Sequence, residues 1–381
     1  WLEGWTMQGG PAFGSGPSML ARFLMGWIPE EGELGSAVLS LIPNPVDFSV
    51  RRWLVIGSVT WVFYLWHIST LSRRPRNSPC PDHGIVLRVL YGLFSTWVAE
   101  QILAHFLHTK RNEPQAEQVG GTQPVVLGPP QLRIKVVPIL GAAFGGNYAY
   151  LIWDETDADR RAIVVDPADP YPVLRAAAEE KLNIEVLLTT HWHFDHASGN
   201  ATFAREIPGL RVIASDREVA RVPAATERMH DEQQIRVGSI VVTAHTVPGH
   251  TLGSVVYEVS SSALPESPSA AFTGDTLFCG GCGRLFEGSA LQLHASLRRL
   301  RHRLKPDCQI FSGHEYAEML LAIAVRSEPG NKAARAKLQK VRDLRAQRRP
   351  SVPSSMADEL AYNPWMKATP VNLARLCGCG Q

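Results

Sequence analysis

The segment Leu187-Leu188-Thr189-Thr190-His191-Trp192-His193-Phe194-Asp195-His196 constrains the fold of this chain more than any other part of it. Four potential metal donors, His191, His193, Asp195 and His196, crowd into six residues directly after an apolar stretch. A turn at a strand exit can aim closely spaced donors at one point, which the alternating faces of a strand cannot. Imidazole and carboxylate are borderline donors that zinc, iron and manganese all accept. Three further candidates stand singly after short apolar stretches, each preceded by glycine: His250 in TVPGHTLGS, Asp275 in AFTGDTLF and His314 in IFSGHEY. Any one of them alone would be an ordinary polar loop residue. Their recurrence in one local setting makes them candidates for the same centre, because glycine permits tight turns and close backbone approach beside a metal.

Around these motifs the chain alternates short apolar runs with helical patterns. The runs Ile134 to Leu140, Tyr148 to Trp153, Ala162 to Val165, Ile184 to Thr189, Ile240 to Ala244 and Val255 to Val259 predict strands. Tyr171 to Lys181 and Ser289 to Leu304 predict helices, so the middle of the chain is expected to form a layered α/β domain. From about Glu315 the β pattern gives way to helical spacing rich in arginine. Four regions follow: 1–108 with membrane-helix candidates, a polar Gly-Gly and Pro-Pro linker over 109–131, a catalytic domain over 132–314, and a helical region over 315–381.

Residues 53–71 are uncharged, mostly apolar and about long enough to cross a hydrocarbon core as a helix, with arginines on both sides and tryptophans at 53, 61 and 66. A membrane span is the expectation, with a buried core helix as the alternative. Residues 85–107 are long enough to span but contain Arg88 and Glu100, so an interfacial helix or the return arm of a hairpin is equally open. Lysine plus arginine (38) nearly balances aspartate plus glutamate (36), which gives no basic field for nucleic acid. The six cysteines lack the spacing of a secreted disulfide scaffold, and a reducing compartment is expected. The first residue, Trp1, is that of a processed form or a fragment, which a cleaved targeting peptide can precede. Cys279-Gly-Gly-Cys282 reads as a structural turn, with a redox pair as the alternative, and Cys377-Gly-Cys379 as a reactive pair or an exposed tail. The arginines at 298, 299, 301 and 303 and at 342, 345, 348 and 349 read as solvated helix faces, with contact to anionic lipid or a partner as the alternative.

The full HxHxDH pattern followed by His250, Asp275 and His314 resembles the metallo-β-lactamase superfamily. Gly199-Asn200, GCGRLFEG from Gly281, GHEYA from Gly313, EPGN from Glu328, and VPSS with YNPWM at 362–366 resemble glyoxalase II, the hydroxyacylglutathione hydrolases, over about 235 residues. The resemblance implies an αββα sandwich with a C-terminal helical domain, here behind an N-terminal membrane-associated helical region. It implies that His191, His193 and His250 hold one divalent metal and Asp195, His196 and His314 another, with Asp275 bridging. Zinc is the first expectation, and iron or manganese would be accepted by the same donors. Arg284 and Tyr316 fall where the family contacts glutathione. Phe286 stands where the family has a tyrosine and so brings no hydroxyl, Trp192 stands where it usually has a histidine, and the chain ends before the family's terminal basic pair.

The resemblance implies hydrolysis of a small thioester, glutathione-derived in that family, by water that two metals activate, with Asp195 and Asp275 as ligands and secondary proton acceptors. A thiolate, whose free-thiol pKa is about 8.5, leaves without strong acid assistance. Loss of the basic pair opens the alternative of a smaller or more apolar ester or thioester. Two other functions stay in competition: an accessory subunit of a membrane protein complex that keeps the fold, and a mononuclear-iron persulfide dioxygenase. Attachment is expected to an organellar membrane, mitochondrial or plastid.

Overall fold

The computed structural model describes residues 125–127, 132–140, 146–369 and Asn372. The two membrane-helix candidates, 53–71 and 85–107, and the cysteines at 377 and 379 lie outside the described residues. Among the described residues no helix is long and apolar enough to cross a membrane.

Two mixed sheets carry the fold. The first contains β1 (Val125–Leu127), β2 (Leu132–Ile139), β3 (Asn147–Asp154), β4 (Arg161–Val165), β5 (Asn183–Leu188), β6 (Arg211–Ser215) and β7 (Glu227–Met229), in that spatial order. Its β1 to β4 half is antiparallel, and β4 to β7 run parallel. The helices α1 (Pro170–Glu179), α2 (Phe194–Ala197) and α3 (Asn200–Glu206) are interleaved with that parallel half. The second sheet is built from β8 (Gln234–Val237), β9 (Ile240–Thr246), β10 (Val255–Ser261), β11 (Ala270–Gly274), β14 (Gln309–Ser312) and β15 (Ser354–Ser355), ordered β15-β14-β11-β10-β9-β8. A small hairpin, β12 (Leu277–Phe278) with β13 (Gly281–Cys282), projects beyond β11. The remaining helices are α4 (Ala290–Arg303), α5 (Ala317–Ser327), α6 (Lys332–Ala346) and α7 (Met356–Tyr362).

Period-2 alternation assigns each strand's two faces to different cores. In β3, Tyr148, Tyr150 and Ile152 enter a core shared with Val242, Tyr257 and Phe272 of the second sheet, while Ala149, Leu151 and Trp153 join Val173 of α1 and Phe203 of α3 on the outer side. Every residue of β3 is buried, as a strand covered on both faces requires. Outside the second sheet, Val256 and Ile310 pack with Leu293 and Leu297 of α4, Leu321 of α5, Val341 of α6 and Met356 of α7. Helices therefore cover both outer faces, giving the αββα order that the motifs implied.

Two short strands fall where the sequence shows no β pattern. Val125–Leu127, inside the segment expected as a linker, pairs with β2. Ser354–Ser355, inside the helical region, pairs antiparallel with the edge of β14. Runs of three and two residues are too short to carry a periodicity, and an exposed sheet edge supplies the missing partner.

Candidate metal centre

The donors sit where strands end. Residues 191–196 follow β5, His250 lies in the β9–β10 loop, Asp275 follows β11, and His314 follows β14. Since β9, β11 and β14 all run in one direction, their C-terminal ends open at the same end of the sheet. Gly274 is necessary to this convergence: its φ of +47° is left-handed, and a Cβ there would lie 2.4 Å from the Thr190 hydroxyl.

All seven donors predicted from the sequence come together. His191 Nε2 and His250 Nε2 each lie 3.0 Å from His193 Nδ1. Next to this triad, His314 Nε2 is 3.3 Å from both His196 Nε2 and Asp195 Oδ2. Asp275 lies between the groups, with Oδ2 3.5 Å from His250 Nε2 and 3.4 Å from His314 Nε2, and Oδ1 3.3 Å from His196 Nε2. Within each of the sets His191/His193/His250, His191/His196/Asp275 and Asp195/His196/His314, the donor atoms lie within 4.8 Å of one another.

These residues fit a pair of divalent cations. Nitrogens about 2.0–2.1 Å from a tetrahedral zinc ion are about 3.3 Å apart, close to the spacings observed. Three of the ring nitrogens that face away from the centre are already committed: His191 Nδ1 to the Thr190 hydroxyl at 3.1 Å, His196 Nδ1 to Asp166 Oδ2 at 2.9 Å, and His250 Nδ1 to the Arg284 carbonyl at 2.8 Å. Their Nε2 lone pairs are thereby aimed inward. Asp275 Oδ1 is buried, makes no well-aligned hydrogen bond and faces the His196 ring nitrogen at 3.3 Å, an acceptor that a cation would satisfy.

Electrostatics divides the set in two. Burial, reinforced by neighbouring imidazoles, holds His191 and His193 well below the ordinary histidine value, and burial likewise lowers His250, so this triad is neutral. Burial also opposes charge on His196 and His314, but the carboxylates of Asp275 and Asp195 outweigh it, raising His196 well above its ordinary value and His314 to about 9. The same attraction overcomes burial at Asp195 and Asp275 and lowers both. Without a cation, protons on His196 and His314 balance the carboxylates of Asp195 and Asp275; with a divalent cation held there, those two histidines would give up that charge.

The three residues expected to meet substrate occupy different positions around this centre. The Phe286 ring packs edge-on against His193 and His250, with centroids 5.2 and 5.0 Å away. Tyr316 stacks flat on His314 at 4.6 Å and meets Phe278 edge-on. Arg284 orients His250 through its backbone carbonyl and exposes its side chain. Cys279 and Cys282 are buried thiols, not joined in a disulfide, beside the β12–β13 turn, and burial pushes the Cys279 thiol up to about 12, so the CxxC serves a hairpin.

Several supporting residues escaped sequence reasoning. Asp166 accepts from the Thr190 backbone N–H at 2.8 Å and its hydroxyl at 2.6 Å while holding His196. Asn147 donates from Nδ2 to the Asp195 carbonyl at 2.9 Å. Asp166 follows an apolar strand, as the ligands do, and was detectable by that signal. Asn147, Glu218 and Glu287 carry no such mark.

Comparison with known proteins identifies a family. Residues 142–314 match the metallo-beta-lactamase superfamily, and residues 315–380 match the hydroxyacylglutathione hydrolase C-terminus. A hydroxyacylglutathione hydrolase from Gloeobacter violaceus is 39% identical over 236 residues, 62% of this chain and 90% of that protein. A hydroxyacylglutathione hydrolase-like protein from Gallus gallus is 34% identical over 247 residues, 65% of this chain and 84% of that protein. Among solved structures, a metallo-beta-lactamase from Staphylococcus aureus aligns over 66% of each chain with 22% identity and a TM-score of 0.49. The chain belongs to the hydroxyacylglutathione hydrolase family of the metallo-beta-lactamase superfamily, a family of metal-dependent hydrolases.

Proposed function

We propose that this chain hydrolyses thioesters of the S-2-hydroxyacylglutathione class, releasing a hydroxy acid and glutathione, at a centre that holds two divalent cations, zinc in the first place. The observation that carries the reading is Asp275, whose carboxylate reaches His250 of one donor set and His196 and His314 of the other. His191, His193 and His250 would hold one cation, Asp195, His196 and His314 the second, and Asp275 both. The cations supply Lewis acidity at the thioester carbonyl and lower the pKa of a water. The chain's own part is to hold the donors together and to line the centre. Phe286 presents an apolar ring beside the first set, and Tyr316 flanks His314 at the other end. Arg284, which is exposed, would supply a guanidinium for a carboxylate of the thiol portion. The leaving thiolate needs no dedicated acid, and Asp195 and Asp275 serve as proton acceptors only after their role as ligands.

Metal analysis of the purified protein, followed by thiol release from S-lactoylglutathione, tests the proposal. Two cations per chain and steady thiol release are expected; a metal-loaded protein inert to every thioester offered would sink it. The apolar run 53–71 supports a further proposal, attachment to an organellar membrane or to a complex within it. In carbonate-washed membranes the full chain should stay in the pellet and a chain lacking 53–71 should not. Equal release of both would remove the anchor.

A further inference from the structure

His191 and His193 leave β5 of the first sheet, whereas His250 sits on the β9–β10 loop of the second. Two loops from separate sheets must keep three imidazoles in register, and no covalent link joins them. We propose that Glu218 is a positioning residue that clamps these two loops together and thereby sets the spacing of His191, His193 and His250 toward a divalent cation. The proposal rests on reading the centre as a metal site.

Glu218 comes from a third segment, after β6, and is 2% exposed. Each carboxylate oxygen takes one loop. Oε2 accepts the backbone N–H of Trp192, between the two histidines, at 3.0 Å. Oε1 accepts the backbone N–H of Gly253, in the His250 loop, at 2.9 Å. The approach is so close that a Cβ on Gly253 would lie 2.3 Å from Glu218 Cγ, so only glycine fits. Among the described residues Glu218 makes no ion pair. A buried carboxylate without a cationic partner is costly, and bonds to both loops are what compensate it here. At the rim Glu287 repeats the tie, its Oε1 accepting Trp192 Nε1 at 3.2 Å and its Oε2 the Leu252 N–H at 2.9 Å.

The chemistry requires an acceptor at both ends. A carboxylate only accepts, whereas glutamine would turn one N–H donor toward another and release one loop. Aspartate keeps both acceptors but is one methylene shorter.

Full-chain wild type and the variants Glu218→Gln, Glu218→Ala and Glu218→Asp, stripped with chelator, are titrated with Co2+. The readouts are stoichiometry, affinity by competition, the visible absorption band, and the unfolding midpoint of the metal-free form. The metal-free Gln variant, which keeps the volume and one acceptor, should unfold near the wild-type midpoint and the Ala variant, which orphans two buried N–H groups, at a lower one, yet both should bind one of two cobalt ions about 10–100-fold more weakly, with a changed band for that ion. Aspartate should restore part of the affinity. Where Ala does not fold, Gln, which conserves volume, supplies the comparison. Wild-type affinities and spectrum in a folded Gln variant would overturn the clamp while leaving the metal centre intact. A metal-free Gln midpoint that falls in step with affinity would reduce Glu218 to a structural role. Wild type that binds no cobalt would overturn the metal centre itself, and the clamp with it.

Discussion

At the scale of single residues, the donors are distinguished by charge and partner rather than by type. Asp275 contacts both donor sets, so Asp275→Asn is expected to reduce bound metal from two ions to one or none. It should lower kcat/KM for a thioester by at least about 10²-fold, readable by metal analysis and thiol release. Asp169, just before α1, offers a test away from the centre: burial raises its carboxyl to about 6, partly offset by the Tyr171 backbone N–H. Its folded pKa exceeds the ordinary value of about 3.9, so the folded state binds the extra proton and stability falls as pH rises from about 4 to 6. Asp169→Asn should therefore stabilise the protein by about 2–3 kcal/mol at pH 7 and leave it unchanged near pH 4, as paired denaturant titrations would show. Sequence reasoning found all seven donors because each stands beside a recognisable turn. It missed Asn147 and Glu218 because their partners are distant in sequence, 48 and 26 residues away, and no local motif marks them.

At the scale of elements, motifs that carried the family resemblance act largely as ties. Asn200 of the Gly-Asn pair donates to the Thr189 hydroxyl at 2.9 Å and anchors α3 beneath the donor turn. Asn331 of EPGN caps α6 by accepting from the Ala334 N–H at 3.0 Å. Asn363 of YNPWM, fully buried, donates to the carbonyls of Gly281 at 3.0 Å and Phe278 at 3.4 Å and accepts from the Trp365 N–H at 3.0 Å. It joins the C-terminal region to the β12–β13 hairpin. Asn363→Ala leaves those groups unsatisfied and should cost about 2–3 kcal/mol, measurable as a lower unfolding midpoint. The hairpin's own chemistry is inert. Burial lifts the thiols of Cys279 and Cys308 to about 12, so neither should react with a thiol reagent at pH 7.5 until the protein is unfolded. Rapid labelling of Cys279 in the native state would contradict its place in the core.

At the scale of the whole molecule, the centre lies at the sheet ends while the cores lie between and outside the sheets. Chelation should therefore leave far-UV circular dichroism unchanged but lower the unfolding midpoint, since a cation at 100 times its Kd contributes about 2.7 kcal/mol per site. Loss of secondary structure on chelation would mean that the fold depends on the metals. The strands β2 to β5, the helices α1 and α4, and the donors were legible in the sequence because hydrophobic period and turn chemistry are local properties. Ser289 even shows the reciprocal capping contacts with Gln292 that start α4. Strand order, the edge strands Val125–Leu127 and Ser354–Ser355, and the placing of Phe286 against two imidazoles were not legible. They depend on which surfaces meet once the sheets pack. By itself the sequence determined which side chains can hold cations, since donor chemistry belongs to the residue. Only the tertiary structure decided that His250, Asp275 and His314 reach the turn after β5, and that Glu218 spans the two loops, because those distances arise from the packing of one sheet upon the other.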